Sequence, residues 1–234
     1  MKLALTLSGL VRGPIEWCYK TLEDEILNKF EPKVYLQAYT CEDLNRIKEI
    51  YNPWKMVITS RDESIESMQT FRKFPETRAE NILYMWRNVY RSSLLVDDDT
   101  EHMIRSRYDV GFTKGTHECL NKLIQNSLDE IYIPIGGDNR GGLFDMFAIG
   151  SKNAMKVYSE LYLYITQYIQ AGVPVHSELL LRYHLDQKGI KVKRFNMPVG
   201  LCRPSDIDVI FRGNTLNQGH PEKLAERRFN DQYI

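Results

Sequence analysis

The chain has 234 residues, 43% of them apolar and 26% charged, enough for one sizeable core and ordinary for a globular protein. Lys plus Arg and Asp plus Glu both number 31, so the formal net charge is zero and a protein-wide basic field for nucleic acid is excluded. The four cysteines (Cys18, Cys41, Cys119, Cys202) form no C-x-x-C pair, which argues against a zinc site or a disulfide scaffold and points to a reducing compartment, the cytoplasm.

The opening MKLALTLSGLVRG has an apolar run too short for a secretory leader, and the run breaks at Gly9. It reads instead as a first strand over residues 2–9. A helix over EWCYKTLEDEILNKF separates it from a second strand, VYLQAYT (34–40), and KMVITS (55–60) makes a third. Thr77 and Glu80 have capping-box spacing and open a helix to about Leu95. Its apolar stripe is Ala79, Ile82, Leu83, Trp86 and Tyr90, with Arg78, Arg87 and Arg91 placed elsewhere on it.

HMIRSRYDVGF (102–112) reads as a strand on which Arg105, Arg107 and Asp109 alternate with Ile104, Ser106 and Tyr108. All three charges would then lie on one face. EIYIPI (130–135) is a further strand, followed by the glycine-rich loop GGDNRGG (136–142). LFDMFAIGS (143–151) is strand and turn, and Ser151 caps a long helix to about Gln170. Ala154, Tyr158, Leu161, Ile165 and Tyr168 face inward from that helix. HSELLLRYHLDQKG is a helix that Gly189 ends, and IKVKRFN is a late strand. The alternation of strands and helices predicts one α/β domain over residues 1–213 with a mostly parallel sheet, trailed by a polar tail over 214–234. No run is long enough to cross a membrane.

A carboxylate at the carboxyl end of a strand sits where open α/β sheets bind ligands. Asp109 could hold a divalent cation, magnesium or manganese, while Arg105 and Arg107 neutralise diphosphate oxygens. An internal Arg–Asp salt bridge explains the same residues equally well.

Four segments carry a resemblance to a family. LALTLSGLVRG matches an apolar strand followed by S-G-x-x-R, and MIRSRYDVGF matches R-x-R-x-D followed by an apolar residue. FDMFAIGSKNAMKVYSELY matches D-x-F-x-x-G-S with its helix, and VHSELLLRYHLDQKGIKV matches a last helix entered through a Glu. In this order they resemble small glycosyltransferase-like proteins of bacterial and viral polysaccharide gene clusters, across most of the first 200 residues. The resemblance implies a single GT-A-like α/β domain, a nucleotide-sugar donor, a saccharide acceptor and a divalent metal. It assigns Arg12, Arg105, Arg107, Asp145 and Glu178 to the donor and Asp109 to the metal. Fold relatives of the family carry a D-x-D pair, of which RYD keeps only the last Asp.

Other readings compete. LLVDDDT offers Asp97, Asp98 and Asp99 as a literal D-x-D, although its preceding apolar residues continue a helical stripe and favour a solvated turn. GGDNRGG lacks both G-x-x-x-x-G-K-[ST] and G-x-G-x-x-G; it is a hairpin connection or a loop whose Asp138, Asn139 and Arg140 reach sugar hydroxyls. Asp145, a charge set in an apolar segment, needs a partner or a purpose. If transfer inverts the anomeric centre, Asp145 or Asp138 is the candidate base for the acceptor hydroxyl. His176 and Glu178 fit helix capping as well as ligand binding. The expected activity is sugar transfer in glycan synthesis, and the alternative is a non-catalytic nucleotide-sugar or carbohydrate-binding module of the same fold.

Overall fold

The computed structural model describes residues 2–11, 14–40, 42–60, 79–125, 130–136, 138–197 and 199–202. Arg12, the capping position Thr77 and the tail over 214–234 lie outside these. The strands are β1 (Leu3–Leu7), β2 (Lys33–Tyr39), β3 (Lys55–Thr59), β4 (His102–Ser106), β5 (Val110–Phe112), β6 (Ile131–Pro134), β7 (Ala148–Ser151), β8 (Val192–Phe195) and β9 (Val199–Leu201). Seven form one sheet in the order β3-β2-β1-β4-β7-β6-β8, and β5 pairs with β9 in a separate antiparallel ribbon. Only β7 runs against the rest of the large sheet, being antiparallel to both β4 and β6. All five residues of β1 are buried, as expected of a strand covered on both faces.

The first crossover is α1 (Ile15–Leu22), which continues through a π-helical stretch (Glu23–Leu27) into α2 (Asn28–Phe30). Glu25 within the π stretch is buried. Its carboxylate accepts from the backbone N–H of Gly115 and of His117, at the start of α5 (Thr116–Gln125). An anion there meets the positive end of the helix dipole. Between β2 and β3 lies α3 (Leu44–Tyr51), which the sequence pattern did not disclose. The long apolar helix is α4 (Ala79–Ser93). It packs on β1, β2 and β3, with Ala79, Ile82, Leu83 and Trp86 buried as the stripe predicts. Arg87 departs from expectation: it too is buried, and its Nη2 donates to the Ser60 carbonyl.

Two further expectations change. The helix after Ser151 starts as predicted, with Ser151 Oγ accepting from the Ala154 N–H, and Ala154, Tyr158, Leu161, Ile165 and Tyr168 are all buried. It is not continuous, however. It divides into α6 (Lys152–Ser159) and α7 (Leu161–Gln170), where buried Ser159 Oγ donates back to the Met155 carbonyl at 2.9 Å, a bond that bends helices. The strand predicted over 102–112 is also divided, as described below. The helix α8 (Ser177–Gln187) ends at Gly189, whose φ of +65° only glycine adopts freely.

Within this core, His184 on α8 is fully enclosed. Its Nε2 lies 2.7 Å from the Val157 carbonyl and its Nδ1 lies 3.0 Å from the Tyr168 hydroxyl. Nε2 therefore donates and Nδ1 accepts, which is the neutral ring. Burial pulls its pKa from 6.5 down to about 4. Because the folded value is depressed, stability is full above pH 6.5 and falls as the unfolded chain takes up the proton below it. Linkage puts the loss at about 2 kcal/mol by pH 5. Urea midpoints at pH 7 and pH 5 should show that loss, and His184→Gln should remove most of the pH dependence.

Candidate functional site

Strand order reverses between β1 and β4, so the carboxyl ends of these two strands mark the switch point at which open α/β sheets place a ligand-binding crevice. β4 stops at Ser106, and residues 107–109 form a turn that passes the chain to β5. Four bonds hold that turn. Arg107 donates Nε to Asp109 Oδ1 at 2.8 Å and Nη2 to Asp109 Oδ2 at 2.7 Å. The Tyr108 hydroxyl donates to the Gln37 carbonyl at 2.6 Å, and the Asp109 carbonyl accepts from the Cys202 N–H at 2.8 Å. These long-range bonds outweigh the period-two pattern. The three charges consequently do not share a strand face: Arg105 is in the sheet, and Arg107 and Asp109 face each other across the turn.

Their environments differ sharply. Asp109 is 0% exposed and Arg105 is 1% exposed, whereas the Arg107 side chain keeps 20% of its surface in solvent. Arg105 donates Nη1 to the Asp145 carbonyl, while its Nε and Nη2 have no partner among the described residues. Burial lowers its pKa, with Tyr158, Asp145, Arg107 and Asp109 as charged or polar neighbours. The Ser8 and Ser106 hydroxyls, at the ends of β1 and β4, are likewise buried and unpartnered among those residues.

Asp145 reaches the same edge because β7 runs backwards, so the segment before it lies by the carboxyl end of β4. Its Oδ2 accepts from Ser177 Oγ, which in turn accepts from Trp86 Nε1 at 3.0 Å. The buried carboxylate therefore has a partner. Its Oδ1 accepts no hydrogen bond among the described residues. The segment is set against the start of α8, where the Leu143 N–H donates to the Glu178 carbonyl at 3.0 Å. A Cβ on Gly142 would stand 2.4 Å from the Glu178 carbonyl carbon. Backbone cannot yield there cheaply, so Gly142→Ala should lower stability by about 1–3 kcal/mol in chemical denaturation. The Glu178 carboxylate is 2.8 Å from His176 Nδ1, within the first turn of α8.

Asp138 is drawn into the loop itself. Its Oδ1 accepts from the Phe144 N–H at 3.1 Å and from Arg194 Nη2 at 2.7 Å. The glycine-rich segment folds as a short 3-10 turn (Asn139–Gly141), with Arg140 at φ +55° and Gly141 at φ +81°.

The rival D-x-D stands at the opposite edge of the sheet. Lys2, Lys33 and Lys55, at the starts of β1, β2 and β3, face it: Lys33 lies 2.7 Å from Asp97, and Lys2 lies 2.9 Å from Asp99. Lys33 and Lys55 hold the Asp97 carboxyl below the usual carboxylate range. The segment is a turn, away from the crevice.

Residues that sequence reasoning missed crowd the carboxyl ends of β1, β2 and β3. Buried Gln37 accepts from the Gly9 N–H at 3.2 Å and donates to Thr59 Oγ1 at 2.7 Å. Asn88 on α4 donates to the Tyr39 hydroxyl, leaving its Oδ1 buried and unpartnered among the described residues. The available signal was Gln37 itself, an amide inside an otherwise apolar strand.

No protein-family model matches the sequence, and no curated protein matches it. Among solved structures, the chain is similar to 4-diphosphocytidyl-2C-methyl-D-erythritolsynthase from Anaerococcus prevotii DSM 20548. That likeness has a TM-score of 0.52 at 14% identity and covers 93% of this chain and 96% of that one. It establishes the fold: a mixed α/β domain with a mostly parallel seven-stranded sheet flanked by helices, as the alternation of strands and helices in the sequence predicts.

Proposed function

We propose that the protein is a glycosyltransferase that moves a sugar from a nucleotide-sugar donor to a saccharide acceptor. The observation that carries this reading is the charge arrangement at the reversal point of the sheet. Arg107, partly open to solvent, stands there with buried Arg105 beside it. In sugar transfer the anomeric carbon gains positive character while a nucleoside diphosphate departs with added negative charge. Fixed cations at the departing group stabilise that change without reorganising. The solved neighbour's name carries a diphosphocytidyl group, which supports a nucleotide ligand on this architecture.

In this reading Arg107 and Arg105 serve the diphosphate; Arg12, which the resemblance also assigns to the donor, lies outside the described residues. Asp145 and Glu178 approach the donor sugar across the Gly142 contact. If the reaction inverts configuration, Asp145 takes the acceptor proton on Oδ1, since Ser177 already occupies Oδ2. Asp138, held by Arg194, is the weaker base candidate. The setting proposed for this chemistry is the cytoplasm, in glycan assembly; among the described residues no helix is long and apolar enough to cross a membrane.

The family resemblance implies a divalent metal, with Asp109 as its ligand. Among the described residues no three His, Cys, Asp or Glu side chains converge. Both Asp109 oxygens accept from Arg107. These described residues do not fit a divalent ion.

The test is release of nucleoside diphosphate from a panel of sugar nucleotides, with and without mixed oligosaccharide acceptors. Acceptor-dependent release supports transfer. Donor binding in thermal shift without any release supports the binding-module alternative. Pyrophosphate release from a nucleoside triphosphate would instead make the protein a nucleotidyltransferase.

A further inference from the structure

We propose that the diphosphate subsite works without a metal, with the Arg107 guanidinium, clamped by Asp109, as the cation that grips the phosphates. This rests on the reading of the crevice as a nucleotide-sugar site.

Three observations carry it. First, Arg107 is preorganised. Its Nε and Nη2 are tied to a fully buried carboxylate, and the turn is pinned by the Cys202–Asp109 backbone bond. Gly111, two residues on, admits no side chain, since a Cβ there would stand 2.6 Å from the Trp17 ring. A guanidinium held in this way loses little rotamer freedom when it binds an anion. Its Nη1 has no hydrogen-bond partner among the described residues.

Second, the local charge favours an anion over a cation. Arg105 is buried nearby with Nε and Nη2 unpartnered among the described residues, and the one carboxylate in the turn is already neutralised by Arg107. A divalent ion on Asp109 would have to displace two charge-assisted bonds, leave Arg107 unpaired, and sit close to a second guanidinium. A diphosphate meets none of these costs.

Third, among the described residues no cluster of carboxylates joins Asp109 to share an ion. The D-x-D at Asp97 and Asp99 is engaged by lysines at the other end of the sheet, and Asp145 is tied to Ser177.

The test is titration calorimetry of the full chain with inorganic pyrophosphate and with uridine, cytidine and guanosine diphosphates, in EDTA and in Mn2+. The proposal expects the diphosphate that binds to do so with affinities within about threefold in the two conditions. Arg107→Gln should weaken that binding about tenfold or more in both, the loss expected for a charge-assisted pair. Arg107→Lys should recover part of it, because charge returns without the fork. The comparison of EDTA with Mn2+ on the unaltered chain needs no variant to fold. Binding seen only with Mn2+ would overturn the proposal while leaving the nucleotide-sugar reading in place. Unchanged affinity of folded Arg107→Gln in EDTA would overturn it as well. Absence of binding by every diphosphate in both conditions would overturn the proposal and the nucleotide-sugar reading together.

Discussion

Asp145→Ala is expected to lower acceptor-dependent release of nucleoside diphosphate by about a hundredfold or more, the scale lost with a positioned acid or base. It should also weaken binding of the sugar nucleotide much more than binding of the free nucleoside diphosphate. The geometry makes this substitution unusually separable. Arg105 bonds the backbone carbonyl of Asp145, which alanine retains, so the buried guanidinium keeps that partner. What alanine removes is the acceptor for Ser177 Oγ, at the end of the Trp86–Ser177–Asp145 chain. A buried hydroxyl without its acceptor costs about 1–3 kcal/mol, which a denaturant midpoint would show. Asp145→Asn supplies the control: the amide oxygen still accepts from Ser177 and stability should largely return, while a base for the acceptor does not. Equal turnover of Asp145→Asn and the parent would remove Asp145 from the chemistry.

The largest stability effect is expected at Asp109. Asp109→Ala leaves Arg107 facing a buried, uncompensated position, and breaking a buried ion pair from one side costs about 3–5 kcal/mol. The lower end applies, because Arg107 retains 20% of its side-chain surface in water and can turn outward. The substitution also loosens the turn that passes the chain from β4 to β5. Asp109→Asn should cost less, since one oxygen remains to accept from Arg107. Urea unfolding of Asp109→Ala, Arg107→Ala and the double variant gives the coupling energy of the pair. A double variant more stable than Asp109→Ala alone would confirm that the penalty lies in the orphaned charge. If Asp109→Ala unfolds at the same urea concentration as the parent, the carboxylate does not hold the turn.

Much of the fold was legible because local chemistry and tertiary structure agree. VYLQAYT and KMVITS carry strand composition and lie in strands. Ser151 and Gly189 mark helix ends by capping chemistry that acts within a few residues, and both act where expected. The inward-facing set Ala154, Tyr158, Leu161, Ile165 and Tyr168 follows from helical period alone and survives the break at Glu160. Arg87 escaped for the complementary reason: an arginine reads as surface unless a distant acceptor, here the Ser60 carbonyl, draws it inward.

By itself, the sequence determined the alternation of strands and helices, the capped ends, the apolar stripes and the candidate charges, because each depends on neighbours within one or two turns of chain. Tertiary structure alone decided where those charges went. The alternation in HMIRSRYDVGF placed three charges on one face, yet bonds from Tyr108 to Gln37 and from Cys202 to Asp109, across 71 and 93 positions of sequence, ended the strand at Ser106. The reversal of β7 brought Asp145 to the carboxyl edge, and strand order sent the D-x-D of Asp97 to the opposite one. Local period reports which way a side chain points along its own element. Which end of a sheet it reaches, and which charge it meets there, depends on pairings between residues far apart in the chain, and those exist only once the strands have found their order.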